Sequence, residues 1–153
     1  MQAAHEDYWA NQVTIQQFTS LALAQIGLGQ TEVGLAALRA AADAEDATLK
    51  NAATPGPLVP VRELLGEALV ALGRAAEAAR EFTRVIAAEP GRFRALYGAA
   101  AAAEAAGQRQ APARFRQLLQ LTTRADATRP EVEHARRALE AAGRTGQPPA
   151  AAR

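Results

Sequence analysis

Few side chains in this sequence have the chemistry that catalysis or metal binding needs. Ser20 is the only serine, cysteine is absent, and the two histidines, His5 and His134, lie near opposite ends of the chain. A nucleophile needs an adjacent base, and a zinc site without cysteine would have to combine carboxylates with one histidine. The sequence therefore favours a protein that is not an enzyme and that holds no metal and no cofactor.

Two acidic groups come nearest to a catalytic arrangement. Glu63 and Glu67 lie four residues apart, on one face of a helix, but most such pairs are surface charge. His134 lies beside Glu131 and Glu133, which is typical of a solvated helix face. We interpret both groups as surface charge.

The composition excludes several classes of protein. The chain has 153 residues, 49% of them hydrophobic and 22% charged, as in soluble globular domains. A net charge of +1, with acids and arginines interleaved, lacks the clustered cations of nucleic-acid binders. No stretch has the about 18 apolar residues of a membrane helix, and the first residues lack a signal-peptide pattern. We expect neither a nucleic-acid nor a membrane partner, and a cytoplasmic location, or a periplasmic one if a longer form carries a signal peptide.

A pattern of apolar and small residues typical of paired helices recurs along the chain, and these helices would position the side chains of any site. It is clearest at Leu65-Gly66, Leu69, Gly73, Ala78, Phe82, Val85 and Pro90, and Gly107 follows Gly73 by 34 residues. This pattern and period resemble the tetratricopeptide repeat, in which each repeat is a pair of antiparallel helices. The third repeat is weaker, because Pro112 replaces the mid-helix alanine and Phe115 is displaced by one position. In the first, Gly29 is the turn and Gly34 the small position.

The predicted fold is an all-α solenoid of three helix hairpins and a C-terminal capping helix. We place the repeats at about 15–46, 59–92 and 93–124 within a single domain over 1–143, with a capping helix over about 130–142 and a disordered tail over 144–153. Turns are expected at Gly29, Gly73 and Gly107, and buried side chains at Leu65, Leu69 and Phe82.

A proline-rich segment, "NAATPGPLVP", interrupts the repeat period. It would be a linker if it separated two domains, or a loop if the helix stack continued past it. Because the period resumes in frame, we interpret residues 47–58 as a loop insertion, with Pro60 in the first turn of the next helix.

Several segments resemble the C-terminal repeats of longer, mostly uncharacterised bacterial tetratricopeptide-repeat proteins. They are "DYWANQVTIQQ", "LRAAADAEDATLK", "TPGPLVPVRELLGEAL" and "EPGRFRALYGAAAAAEAAG", and the resemblance covers nearly all of residues 7–142. It implies the fold and no reaction.

The resemblance also implies that partners bind in a concave groove lined by the first helix of each repeat. Two carboxylates facing two guanidiniums and an aromatic ring could hold an extended peptide. Alternatively, these charges pair with one another across adjacent helices. Paired acids would repel a terminal carboxylate, which rejects the subtype that clamps acidic C-termini. The groove positions carried over are Gln16, Thr19, Leu23, Glu63, Glu67, Val70, Arg92, Arg94, Tyr97 and Glu104.

The first helix should be long and begin well before its repeat. Tyr8, Trp9 and Val13, with Ile15 and Phe18, place apolar side chains on more than one side of it. A solenoid end normally has a polar outer face, so Tyr8, Trp9 and Val13 predict an N-terminal docking face for an upstream repeat or a second copy.

The sequence thus predicts a non-catalytic scaffold that binds a protein or peptide in its groove. The alternative is a structural block that docks onto further repeats of a longer chain or associates with itself. A small-ligand carrier or an enzyme is the third reading.

Overall fold

A computed structural model describes residues 2–48, 57–123 and 129–145. Within these ranges the chain forms seven α-helices and no β-strand, which confirms the predicted all-α class. It divides into two compact units, residues 1–72 and 73–153, which are described separately. The helices are α1 (Gln2–Gly27), α2 (Thr31–Ala47), α3 (Val61–Ala71), α4 (Ala75–Ala88), α5 (Phe93–Ala105), α6 (Ala111–Leu121) and α7 (Pro130–Thr145).

Glycine ends three of these helices in the left-handed region, as predicted. The φ angles of Gly29, Gly73 and Gly107 are 82°, 73° and 64°. After α1, the Gln30 N–H donates to the Gln25 carbonyl at 2.9 Å and the Gly29 N–H donates to the Ile26 carbonyl at 3.0 Å. This pair of hydrogen bonds is a Schellman motif. The same pair of bonds ends α5 at Gly107. A residue with a Cβ would be strained here, so these glycines fix where each helix turns back.

The hairpin of α1 and α2 depends on one close approach. A Cβ added at Gly34 would lie 2.6 Å from both the Ala22 carbonyl oxygen and Ile26 Cγ1, so α1 packs directly against this glycine. Ile15 and Ala22 of α1 and Leu35 and Leu38 of α2 are buried. The small residue that the repeat pattern predicts at Gly34 is therefore required by packing.

Charged groups tie α2 to α3 across the proline-rich segment. The Val61 N–H donates to Glu45 Oε2 at 2.7 Å. Arg62, only 5% exposed, donates from Nη2 to Asp43 Oδ1 at 2.6 Å and from Nε to Asp46 Oδ2 at 2.7 Å. We call Asp43, Glu45, Asp46 and Arg62 the α2–α3 clasp. It joins the helices that precede and follow the segment, and the interpretation of residues 47–58 as a loop insertion stays a prediction.

Residues 49–56, which include Pro55, lie outside the described residues. Pro60 is the N-cap of α3, one residue before the predicted first turn. Leu65 and Leu69 of α3 are fully buried, as predicted. The single domain over 1–143 and the repeat boundaries stay predictions, as does the pairing of α3 with α4 as the middle hairpin.

In residues 73–153, α4 packs against α5, and α5 to α7 surround an apolar cluster. Phe82 of α4 is 2% exposed, as its predicted burial requires, and its ring lies over Gly98 of α5. The cluster contains Leu96, Ala100, Phe115, Leu118 and Ala135. Small side chains on α5 let its neighbours approach closely, and Phe115 supplies the bulk.

The two ends differ in how well the sequence predicted them. Helix α1 has 26 residues and begins well before the first repeat, as predicted. Helix α7 ends at Thr145 and not near 142, so residues 144 and 145 of the predicted disordered tail are helical. Gly143 does not break this helix, since alanines before it favour helix and no turn follows immediately. Residues 146–153 lie outside the described residues.

Replacing Gly98 by alanine should destabilise residues 73–153. The new Cβ would lie 2.5 Å from the nearest Phe82 ring atom, and the ring is buried and cannot move freely. We expect a net loss of about 1–2 kcal/mol, since overpacking outweighs the helix preference for alanine. Gly143→Ala is the matched control: its Cβ would meet no atom within 4 Å, so a gain of about 0.5 kcal/mol is expected. Urea unfolding measures the free energy of unfolding of both variants. A Gly98→Ala chain as stable as wild type would contradict the close contact between Gly98 and the Phe82 ring.

Candidate functional site

Six predicted groove residues lie in residues 1–72, and the four polar ones among them differ in exposure. Gln16 is exposed and Glu67 half-buried. Thr19 is buried and donates its hydroxyl to the Ile15 carbonyl at 2.8 Å, while Glu63 is fully buried. Thr19 and Glu63 therefore do not lie on the surface where a groove would place them. A hydroxyl that bonds its own helix can be buried at low cost, which a pattern of residue types does not reveal.

The two apolar groove positions of this unit are at the surface. Leu23 of α1 is 36% exposed and Val70 of α3 is 48% exposed. With Gln16, they leave a mainly uncharged set of exposed groove positions in residues 1–72. Of the two carboxylates predicted for this part of the groove, only Glu67 is partly exposed.

The other four groove residues lie in residues 73–153, on α5 and just before it. Arg94 and Glu104 are exposed, and Arg92 and Tyr97 are half-buried. Arg92 pairs with Glu89 at 3.0 Å, within its own turn. This local pair differs from the pairing across adjacent helices that the sequence left open for it.

Tyr97, His134 and Glu104 form a polar network between α5 and α7. The Tyr97 hydroxyl lies 3.0 Å from His134 Nδ1, and His134 Nε2 lies 2.9 Å from Glu104 Oε2. The imidazole also packs edge-on against the rings of Phe115 and Tyr97, at centroid distances of 5.3 and 5.8 Å. Both ring nitrogens are thus engaged, so the network fixes the imidazole and joins the two helices.

The prediction that His134 belongs to a solvated face was wrong. Its side chain is 33% exposed, and it contacts Tyr97, Glu104 and Phe115. A signal was present: His134, Ala138 and Ala141 are spaced four and three residues apart, the spacing of one helix face.

The surroundings of Tyr97 raise the pKa of its phenol. Burial raises the pKa of its phenol above the ordinary value of 10.0, and the charges of Glu131 and Glu104 raise this pKa further, opposed by Arg137. Burial and negative charge both disfavour the phenolate.

This shift predicts that stability depends on pH in the alkaline range. Tyr97 holds its proton more tightly in the folded chain, so the unfolded chain ionises first. The free energy of unfolding should therefore be highest below pH about 10 and fall as the pH rises from there toward the folded pKa. Urea unfolding across this range should show a shallower fall for Tyr97→Phe than for wild type. Tyr8→Phe is the control, and equal slopes for all three chains would contradict the effect.

A depression of about 270 Å³ lies beside the network, between α5, α6 and α7. Its floor is apolar and contains Phe115, which is 1% exposed. Polar side chains enter it only from α5 and the turn after it. The lining residues are Glu104, Gln108, Ala111, Pro112, Phe115, Ala138, Ala141 and Ala142.

Helix α1 carries a second kind of surface, without charge. No charged residue occurs from Tyr8 to Gln30. Trp9 and Val13 of the predicted docking face are 50% and 53% exposed, and Phe18 and Leu21 are 58% and 61% exposed. Tyr8 is half-buried and meets the Trp9 ring edge-on at 5.2 Å.

The described residues offer little for other chemistry. Within them, no three histidine or acidic side chains are grouped so that they could hold a metal ion. The Ser20 hydroxyl donates to the Gln16 carbonyl at 2.9 Å. Of the helices in the described part of the chain, none has the length and apolar character to cross a membrane.

Comparison with known proteins supports the fold alone. No family model matches the sequence, and no curated protein matches it. The fold is similar to that of PcrH from Pseudomonas aeruginosa, a tetratricopeptide-type structure. The match covers 85% of this chain and 92% of that chain, with a TM-score of 0.61 and 18% sequence identity. The chain thus has a tetratricopeptide-like helical-repeat fold, whereas the resemblance to longer bacterial proteins stays a prediction.

Proposed function

We propose that this chain is a non-catalytic scaffold that binds a protein or peptide. In this proposal the chain has the three hairpins and the capping helix that the repeat pattern predicts, and the partner lies along the first helix of each hairpin. The observation that supports it best is the surface of α5 and α7. There an ordered tyrosine, histidine and glutamate lie beside an apolar depression.

The chemistry of this surface suits recognition. Tyr97 and Glu104 engage both nitrogens of His134, so the imidazole is held in a fixed orientation between α5 and α7. Exposed Arg94 lies three residues before Tyr97 on the same helix face and adds a cation. A fixed aromatic edge with one carboxylate and one guanidinium suits an extended peptide, which presents backbone and charged groups together.

The test is affinity capture with a charge reversal. Wild-type chain is expected to retain a partner from native lysate that Arg94→Glu loses, with the melting temperature nearly unchanged because Arg94 is exposed. Arg116→Glu, an exposed arginine on α6, is the matched control and should retain the partner. A lowered melting temperature with unaltered capture would show that Arg94 is structural and would count against the proposal. Tyr97 is less suitable for this test, because it also packs against the apolar cluster.

The exposed apolar face of α1 favours a second candidate function, self-association. We propose that a second copy of the chain binds to this face. In a two-fold interface each patch meets itself, so a charged face would repel its copy, whereas α1 has no charge from Tyr8 to Gln30. Four large apolar side chains of α1 are at least half exposed, and exposed apolar surface of this kind is commonly covered at interfaces.

Light scattering over a concentration series tests this candidate. We expect a dimer in wild type and a monomer in Trp9→Glu. Leu121→Glu, which alters an apolar side chain of similar exposure on α6, should leave the dimer intact. A wild-type monomer at all concentrations would exclude the second copy and leave an upstream repeat as the remaining occupant.

A further inference from the structure

The depression between α5, α6 and α7 has the size of a side-chain pocket. Its volume of about 270 Å³ is below the about 300–1,000 Å³ of typical small-molecule sites. Phe115 forms an apolar floor, and the sides of the depression are formed largely by the small side chains of alanines of α6 and α7. An aliphatic side chain placed here would lose contact with water on several sides at once.

The edge of the depression toward α5 is acidic. The side chain of Glu104 is 43% exposed, and its Oε2 is held by His134 Nε2. A carboxylate can accept about four hydrogen bonds, so Glu104 retains acceptor capacity after this contact. Arg137 of α7 is 68% exposed and pairs with Glu133, at 4.0 Å.

We infer that this depression recognises a partner segment in which an aliphatic side chain lies next to a lysine or arginine. The aliphatic group would pack on Phe115, and the cation would bind Glu104 at the edge. His134 would act as a positioning residue by fixing the carboxylate. The inference rests on the proposed scaffold function and specifies the chemistry of the partner.

A random-peptide phage library, selected on the intact chain, provides the probe. Selected peptides should be enriched in an aliphatic residue followed or preceded within two positions by a base. Enrichment in acidic residues, or no enrichment at all, would overturn the inference.

Two variants then locate the bound peptide. Glu104→Gln should weaken binding of the strongest selected peptide about fivefold, the scale of one exposed ion pair. Ala141→Leu, which fills the depression from an exposed position, should weaken it at least about tenfold. The matched controls are Glu140→Gln and Ala113→Leu, which change exposed residues outside the lining. Far-ultraviolet circular dichroism confirms that each variant is folded.

The outcomes separate the pocket from the scaffold. If the selected peptides bind wild type and both variants equally, the inference that they bind in the depression is wrong, while the proposed scaffold function is unaffected. If no peptide is selected, the pocket fails, and the Arg94→Glu capture experiment decides the scaffold function independently.

Discussion

Truncation of Phe82 to alanine is expected to lower the free energy of unfolding by about 3–5 kcal/mol. The ring is 2% exposed and packs on Gly98, so its loss leaves a cavity against a backbone with no side chain to refill it. Five of the six buried positions on α5 are alanines, among them Ala95 and Ala99, whose methyl groups cannot extend into the space. The cost should therefore lie at the upper end of this range.

The measurement is chemical denaturation followed by circular dichroism. Phe18→Ala is the matched control, because Phe18 is 58% exposed and its truncation should change stability by less than about 0.5 kcal/mol. Both chains should be compared at a concentration too low for association. An equal effect of the two truncations would contradict the burial of Phe82.

The α2–α3 clasp predicts an unequal response to removal of its two sides. Asp43 and Asp46 are 70% and 51% exposed, whereas Arg62 is 5% exposed. Replacing both aspartates by alanine leaves a buried guanidinium without two of its carboxylates, which should cost about 3 kcal/mol. Arg62→Met keeps the buried stem and returns the aspartates to water, so we expect a cost of about 1 kcal/mol.

Urea unfolding of the three chains tests this asymmetry. The Asp43→Ala, Asp46→Ala double variant should unfold at a lower urea concentration than Arg62→Met. Asp7→Ala, which removes an acid from a different helix, is the control for lost negative charge. If Arg62→Met proves the more damaging change, the clasp stabilises through the aspartates, and the burial argument is wrong.

Local rules predicted much of the fold. Gly29, Gly73 and Gly107 could be predicted as turns because few other residues accept the left-handed region. Leu65, Leu69 and Phe82 follow from a repeat pattern that records which positions face the core. In each case the residue type and its immediate spacing determine the outcome.

Contacts between distant segments were not predictable in this way. Tyr97 and His134 are 37 residues apart in sequence, so no local spacing rule relates them. Arg62 meets Asp43 and Asp46 across the proline-rich segment, and nothing in the pattern of either helix marks that pairing. Glu63 was assigned to a groove by its repeat position, but burial depends on what packs over it.

The absence of charged residues from Tyr8 to Gln30 predicts how contacts made by this part of α1 respond to ionic strength. Contacts made by that face depend on apolar burial, so excluded salts such as ammonium sulfate should strengthen them. A cation bound at Glu104 depends on Coulomb attraction, which screening weakens over a Debye length of about 8 Å at physiological salt. One salt titration should therefore move the two proposed associations in opposite directions, and the cell's ionic composition would set their balance.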